Sequence, residues 1–97
     1  MKNKEIFIFN VSASSPAKST GWSLFKFLEE HCAENVQLHT LGPEATGQAM
    51  YVVHKASLNF ANNGKTLFAK TGWETRPGRK ETDQNSISVF VLRFMVI

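Results

Sequence analysis

The chain has almost no cysteine, no long apolar stretch and no extreme of charge. A single cysteine, Cys32, among 97 residues excludes an intramolecular disulfide framework and a multi-cysteine zinc site, and it fits a reducing, cytoplasmic setting. No stretch is apolar for the roughly 18 residues that a membrane-spanning helix needs. The basic opening Met1–Lys4 is followed by Glu5 and only Ile6 to Phe9 before Asn10, too short an apolar run for a signal peptide. His31, His39 and His54 show neither HxxxH nor Cys-pair spacing, so neither a metal nor a cofactor is expected. Cys32 has no activating neighbour pattern and reads as packing at a helix end. Glu29 and Glu30 read as a solvated helix terminus, not an acid–base dyad. Gly42 and Gly47 have the outer spacing of a phosphate-binding loop, but Gln48-Ala49 stands where Lys-Ser/Thr is required. No constellation for catalysis remains, and an enzyme is not expected. Repeats, linkers and low-complexity segments are also missing.

What is present is enough for one domain. Hydrophobic residues make up 42% and charged residues 20% of the chain, which excludes disorder as the main state. At this length roughly 65% of the unfolded surface can be buried, enough for one modest core. The net charge of +3 is unevenly spread. Residues 1–28 carry four Lys against one Glu, and residues 29–44 carry four Glu and no cation. Residues 65–80 carry Lys65, Lys70, Arg76, Arg79 and Lys80 against Glu74. A local basic cluster of this kind suits a polyanionic partner.

Patterning gives six elements. Ile6 to about Ser12 is apolar on both pleat faces, as a central, covered strand is. Ser14-Ser15-Pro16 supplies a serine cap and a proline start for a helix running to about His31. Ala17, Gly21, Leu24, Phe25 and Leu28 form its apolar stripe, and Gly21 suggests close approach to the sheet. Asn35–Leu41 is a second strand, with Val36 and Leu38 on one face and Gln37 and His39 on the other. Gly42-Pro43-Glu44 opens a second helix with a stripe of Ala45, Ala49, Val52, Val53, Ala56 and Phe60, stopped at Asn62-Asn63-Gly64. Lys65 to about Thr75 is a third strand with a bulge expected at Gly72. Residues 76–85 are turn formers throughout, and Ser86–Val96 is a long fourth strand.

The expected fold is therefore an α/β two-layer sandwich, β-α-β-α-β-β, in a single domain over residues 1–97. Both helices lie on one face of a four-stranded mixed sheet. The bare face needs a cover, and a second subunit is the simplest, so a homodimer or higher oligomer is expected.

Residues Asn10 to Gly64 resemble the stage V sporulation protein S family. The likeness rests on Val11-Ser12, on Ser15-Pro16 at the helix entry, on Leu24 and Leu28, and above all on Gly42-Pro43-Glu44-Ala45-Thr46-Gly47-Gln48-Ala49. Val53, Ala56, Ala61 and Gly64 continue it. Beyond Gly64 the chain departs: Phe68-Ala69-Lys70-Thr71-Gly72-Trp73 replaces a very apolar strand ending in a proline-aromatic motif, and Tyr51 stands where the family has a lysine. The resemblance implies the Alba-like fold, a dimer, and binding of DNA or RNA through the loop before the first helix and the arm joining the last two strands. A role in sporulation is implied by the same likeness.

Those two places here read Ser14-Ser15-Pro16-Ala17-Lys18 and Arg76-Pro77-Gly78-Arg79-Lys80. The candidate nucleic-acid-binding residues are thus Arg76, Arg79, Lys80, Lys18, Ser14, Ser15 and Lys70, with Lys55 and Lys65 extending the path. They would hold the phosphate backbone with little sequence choice. Trp73 and Tyr51 are candidates for base stacking, Trp22 lies off the main stripe of its helix, and Gln48 reads as a bond to backbone or across a subunit contact. The bland alternative for the basic arm is a solvated loop, partly neutralised by Glu81 and Asp83. On that alternative the chain is a regulatory or scaffolding oligomer that touches no nucleic acid.

Overall fold

The expected elements form in the expected order. The computed structural model describes residues 5–76 and 87–97. The turn of the arm, with Arg79, Lys80 and the expected strand start at Ser86, lies outside the described residues. The elements are β1 (Phe7–Asn10), α1 (Ala17–Glu30), a 3-10 turn (Ala33–Asn35), β2 (Val36–Leu41), α2 (Gly42–Asn62), β3 (Leu67–Arg76) and β4 (Ile87–Val96). The strands form one sheet in the order β1-β2-β4-β3. β1 and β2 are parallel, and β4 runs antiparallel to both of its neighbours. Both helices pack on the same face, giving the two-layer sandwich.

Between the layers, Leu24, Phe25 and Leu28 of α1 and Ala49, Val52, Ala56 and Phe60 of α2 meet Val36, Leu38, Phe90, Leu92 and Phe94 of the sheet. The stripes read from 3.6-residue periodicity are the buried ones, except that Ala17 and Val53 are only part-buried. β2 passes into α2 without a loop, because Gly42 takes φ +86, a conformation that costs a residue with a Cβ. Gly64, at φ +73, ends α2 in the same left-handed region, with its N–H donating to the carbonyl of Ala61 (3.0 Å).

Several local expectations are overturned. β1 is not central but an edge strand. Its second face is uncovered, and Ile6 and Ile8 are each 48% exposed. Gly72 makes no bulge: the β3–β4 register runs unbroken from Leu67↔Val96 to Arg76↔Ile87. Instead the missing side chain leaves room for Arg93, whose Nη1 lies 3.2 Å from where a Cβ would stand. Gly21 approaches α2, not the sheet. No serine side chain caps α1; Pro16 occupies the cap position. Cys32 is exposed rather than packed. At that helix end it is His31 that packs, stacked on Phe7 at a centroid distance of 3.9 Å.

The helix-free face of the sheet is mixed. Ile6, Ile8, Leu41, Phe68 and Met95 are about half exposed on it, while Val89 and Val91 are buried without any help from the helices. Their cover is lateral. Val89 lies between Leu41 and Glu74, and Val91 between His39 and Gly72. Arg93 reaches over Gly72 toward Glu74, with Nη2 3.8 Å from Oε2.

Candidate functional site

Strand direction brings the loop before α1 and Arg76, the first residue of the second expected contact point, to one edge of the molecule. β1, β2 and β3 all run the same way. Their C-terminal ends, the N-termini of α1 and α2, and the root of the arm at Arg76 therefore share that edge. Three inter-strand spacings of about 4.8 Å separate β1 from β3 across the sheet, and Arg76 stands four residues beyond the level of Asn10.

The α1 entry is ordered by its own serines. The backbone N–H of Ser12 donates to Ser15 Oγ (3.0 Å), and the N–H of Ser15 donates to the Ser12 carbonyl (3.1 Å). Ser12 Oγ also lies 3.2 Å from both Ser14 Oγ and Ser15 Oγ. From α2, Gln48 Nε2 donates to the Ser15 carbonyl (2.6 Å), the bond to backbone expected of it. Because these hydroxyls close the turn instead of capping the helix, the first N–H groups of α1 meet no side-chain acceptor. Ser14 and Lys18, on either side of that helix start, are both exposed. A helix start with unused donors and an adjacent cation suits a phosphate oxygen.

Between the two helix starts lies an open crevice of about 600 Å³ lined by Asn10, Ser12, Ser15, His39, Thr40, Leu41 and Glu44, among others. Thr46 hydroxyl donates to the Gly42 carbonyl (2.8 Å) and accepts from Thr40 Oγ1 (2.8 Å), which pins the start of α2. Buried His39 pairs with Gln37 through Nε2 and Oε1 (3.0 Å). The Gly42–Gly47 segment is helical, so it does not wrap a phosphate as a nucleotide-binding loop does. Glu44 is the acidic residue of the first turn of α2 and is exposed; it sets the boundary of any anion site on this edge. Among the described residues no group of three or more His, Cys, Asp or Glu could hold a metal.

The predicted residues divide accordingly. Ser14, Ser15 and Lys18 come together at the α1 entry, and Arg76 lies at the same edge as the last residue of β3. Arg79 and Lys80 fall outside the described residues. Lys70 is not part of this group. It sits mid-strand on the helix-free face, opposite Arg93, three strand spacings from Ile8. Lys55 is on α2 and Lys65 beyond its far end. Sequence reasoning had Gln48 bonding to backbone or across a subunit contact but missed that its partner is the α1 entry, and it gave no role to Arg93, which pairs with Glu74 on the face it shares with Lys70. Gln48 carried a signal in its place one turn after Glu44; Arg93 carried one as the lone charge in an apolar strand.

Trp22 is 53%, Tyr51 65% and Trp73 67% exposed. The Trp73 ring rests on Phe90 at a centroid distance of 4.9 Å. Trp22 is held by Phe25 at 5.4 Å and has Lys26 Nζ 5.7 Å from its ring centroid. No helix among the described residues is long and apolar enough to cross a membrane. No protein-family model matches the chain, and no curated protein matches it significantly.

Proposed function

We propose that this chain is a non-enzymatic, cytoplasmic nucleic-acid-binding protein of the Alba-like type. It grips the phosphate backbone of DNA or RNA at the edge shared by the α1 entry and the β3–β4 arm. The observation that carries the reading is that shared edge: the uncapped start of α1 with Ser14, Ser15 and Lys18 opens on the same side as Arg76. Arg76, Arg79 and Lys80 of the arm supply the other half of the grip. The resemblance of residues 10–64 to the sporulation protein S family supports the same reading, and with it a role in sporulation. Lys70 lies too far down the sheet to share a contact with Lys18, so it serves a second polymer segment or the sheet face itself.

The protein acts as a homodimer or higher oligomer in this proposal. Half-exposed Ile6, Ile8, Leu41, Phe68 and Met95 on the helix-free face support that assembly. The same observation favours the second reading, a regulatory scaffold that assembles through this face and binds no nucleic acid.

A salt titration separates the two. Binding through phosphates gives a log–log slope of about −0.9 per contact on duplex DNA, and replacing Arg76, Arg79 and Lys80 with alanine should lower it by about three contacts' worth. Absence of binding at about 50 mM salt leaves the scaffold.

A further inference from the structure

The outer surface of the helix layer has a charge pattern that the edge site shares only through Lys18. Residues 6–28 and 45–62 contain no Asp or Glu, and the exposed cations among them include Lys18 on α1 and Lys55 on α2. The register between the helices is fixed at three levels. Gln48 bonds to the Ser15 carbonyl, Gly21 lies against Lys55, Val52 and Ala56, and Phe25 packs on Phe60 at 4.8 Å. The helices therefore run parallel with an offset of 33 to 35 residues.

That register sets two rows across the groove. Lys18, Trp22 and Phe25 follow one another at i, i+4 and i+7, which places them along one side of α1. The buried Phe25 marks the wall facing α2, so Lys18 and Trp22 form its upper rim. On α2, Gln48, Val52 and Lys55 face α1, and Tyr51 is the i+3 neighbour of Gln48 and the i−4 neighbour of Lys55. Lys18 stands level with Tyr51, and Trp22 level with Lys55. Gly21, with no side chain, keeps the groove floor low between them. Each row thus sets one exposed aromatic ring level with a cation of the other helix, the order reversed one turn further along, and Lys26 Nζ adds a second cation 5.7 Å from the Trp22 ring centroid.

We propose that this groove binds single-stranded nucleic acid, with bases stacked on Trp22 and Tyr51 and phosphates neutralised by Lys18 and Lys55. The proposal deepens the nucleic-acid reading above and rests on it. Alternating cations and flat rings match a chain that alternates phosphates and flat bases. A duplex keeps its bases stacked on one another and has no ring face to offer. Lys18 lies at the junction of the groove with the α1 entry, so a strand gripped at the edge continues directly onto the rings.

The test uses the full chain with Trp73→Phe, so that Trp22 is the sole indole emitter. The probes are a thymidine oligonucleotide, an abasic oligonucleotide of equal length, the corresponding duplex, and poly-glutamate of matched charge. The thymidine strand should quench Trp22. By anisotropy, Trp22→Ala (on the wild-type background) and Tyr51→Ala should each weaken it about fivefold or more, and together about 25-fold or more. Trp22→Phe should keep most of the affinity, duplex binding should be unchanged, and circular dichroism should show all variants folded. Equal affinity for the abasic strand, or loss of duplex and single-strand binding in parallel, would overturn the stacking. Quenching by poly-glutamate as strong as by thymidine would make the groove a docking face for acidic protein and overturn it too. If the duplex binds through the arm while the single strand ignores both aromatic variants, only this proposal falls. If neither polymer binds, the function proposed above falls with it.

Discussion

Gly21 of α1 and Lys55 of α2 are so close that a Cβ built on Gly21 would stand 2.5 Å from the Lys55 Cβ, and 3.0 Å from the Val52 carbonyl oxygen. The two helices touch backbone to backbone here. This contact brings the two helices close together and sets which residues lie level with each other.

Replacing Gly21 with alanine tests that contact. In a free helix alanine is better than glycine by about 1 kcal/mol. Here the added methyl must push against backbone and a Cβ, so the gain is overridden. Gly21→Ala should destabilise the protein by about 1–3 kcal/mol, read as a lower midpoint in urea with an unchanged slope.

Gln48 is the strut between α2 and the α1 entry, donating to the Ser15 carbonyl at 2.6 Å. Gln48→Ala should cost about 1 kcal/mol of stability. It should also loosen the serine turn, so that backbone amides of residues 12–15 exchange faster with solvent while those of β2 and β4 keep their protection. Unchanged exchange there would show that the serines hold the turn unaided.

Lys18 should act through charge at the proposed edge site. Lys18→Ala is expected to flatten the salt slope for duplex DNA by about 0.9, with little change in melting temperature because the side chain is exposed. Lys70→Ala, on the opposite face of the sheet from the helices, should leave that slope unchanged if one duplex is bound at the edge.

The half-exposed apolar residues of the sheet face predict the consequence of charging it. Ile8→Glu or Met95→Glu should shift the protein toward monomer in sedimentation or light scattering while keeping its circular dichroism. A wild-type chain that is already monomeric at micromolar concentration would remove the assembly proposed above.

Leu38 and Leu24 measure the core itself. Both are fully buried, one in the strand paired with both β1 and β4 and the other on α1. Truncating either to alanine should cost about 2–5 kcal/mol, enough to leave a domain of this size partly unfolded at room temperature. Equilibrium denaturation would show a far smaller loss if the two layers can collapse onto the gap.

Much of this fold is legible in the chain because it depends on local periodicity and on backbone punctuation. The stripes of α1 and α2, the start at Gly42-Pro43 and the stop at Gly64 follow from spacing, a fixed proline φ and a left-handed glycine, so their boundaries fall within a residue or two. The roles of Gly21 and Gly72 were not legible. A glycine announces that something comes close, but which element comes close is a matter of packing. At Gly21 it is α2, and at Gly72 it is the Arg93 guanidinium. Likewise Ser14 and Ser15 look like caps in sequence, yet their hydroxyls bond within their own turn.

The candidate site divides the same way. The serine–lysine entry and the basic arm are visible as residue types in the chain. That the entry and Arg76, where the expected arm begins, share one edge depends on β1, β2 and β3 running in the same direction, a consequence of where β4 inserts.

By itself the sequence determined the kinds and order of the elements and which stripe of each helix is buried, because hydrophobic period and turn chemistry act over a few residues. Tertiary structure decided that β4 lies between β2 and β3, that the apolar β1 stands at an edge, and that Gly21 lies against Lys55 and Val52 of α2. Those outcomes come from pairing and close packing between segments distant in the chain, most of them separated by whole elements, where register is chosen by the fit of two surfaces and no local pattern records it.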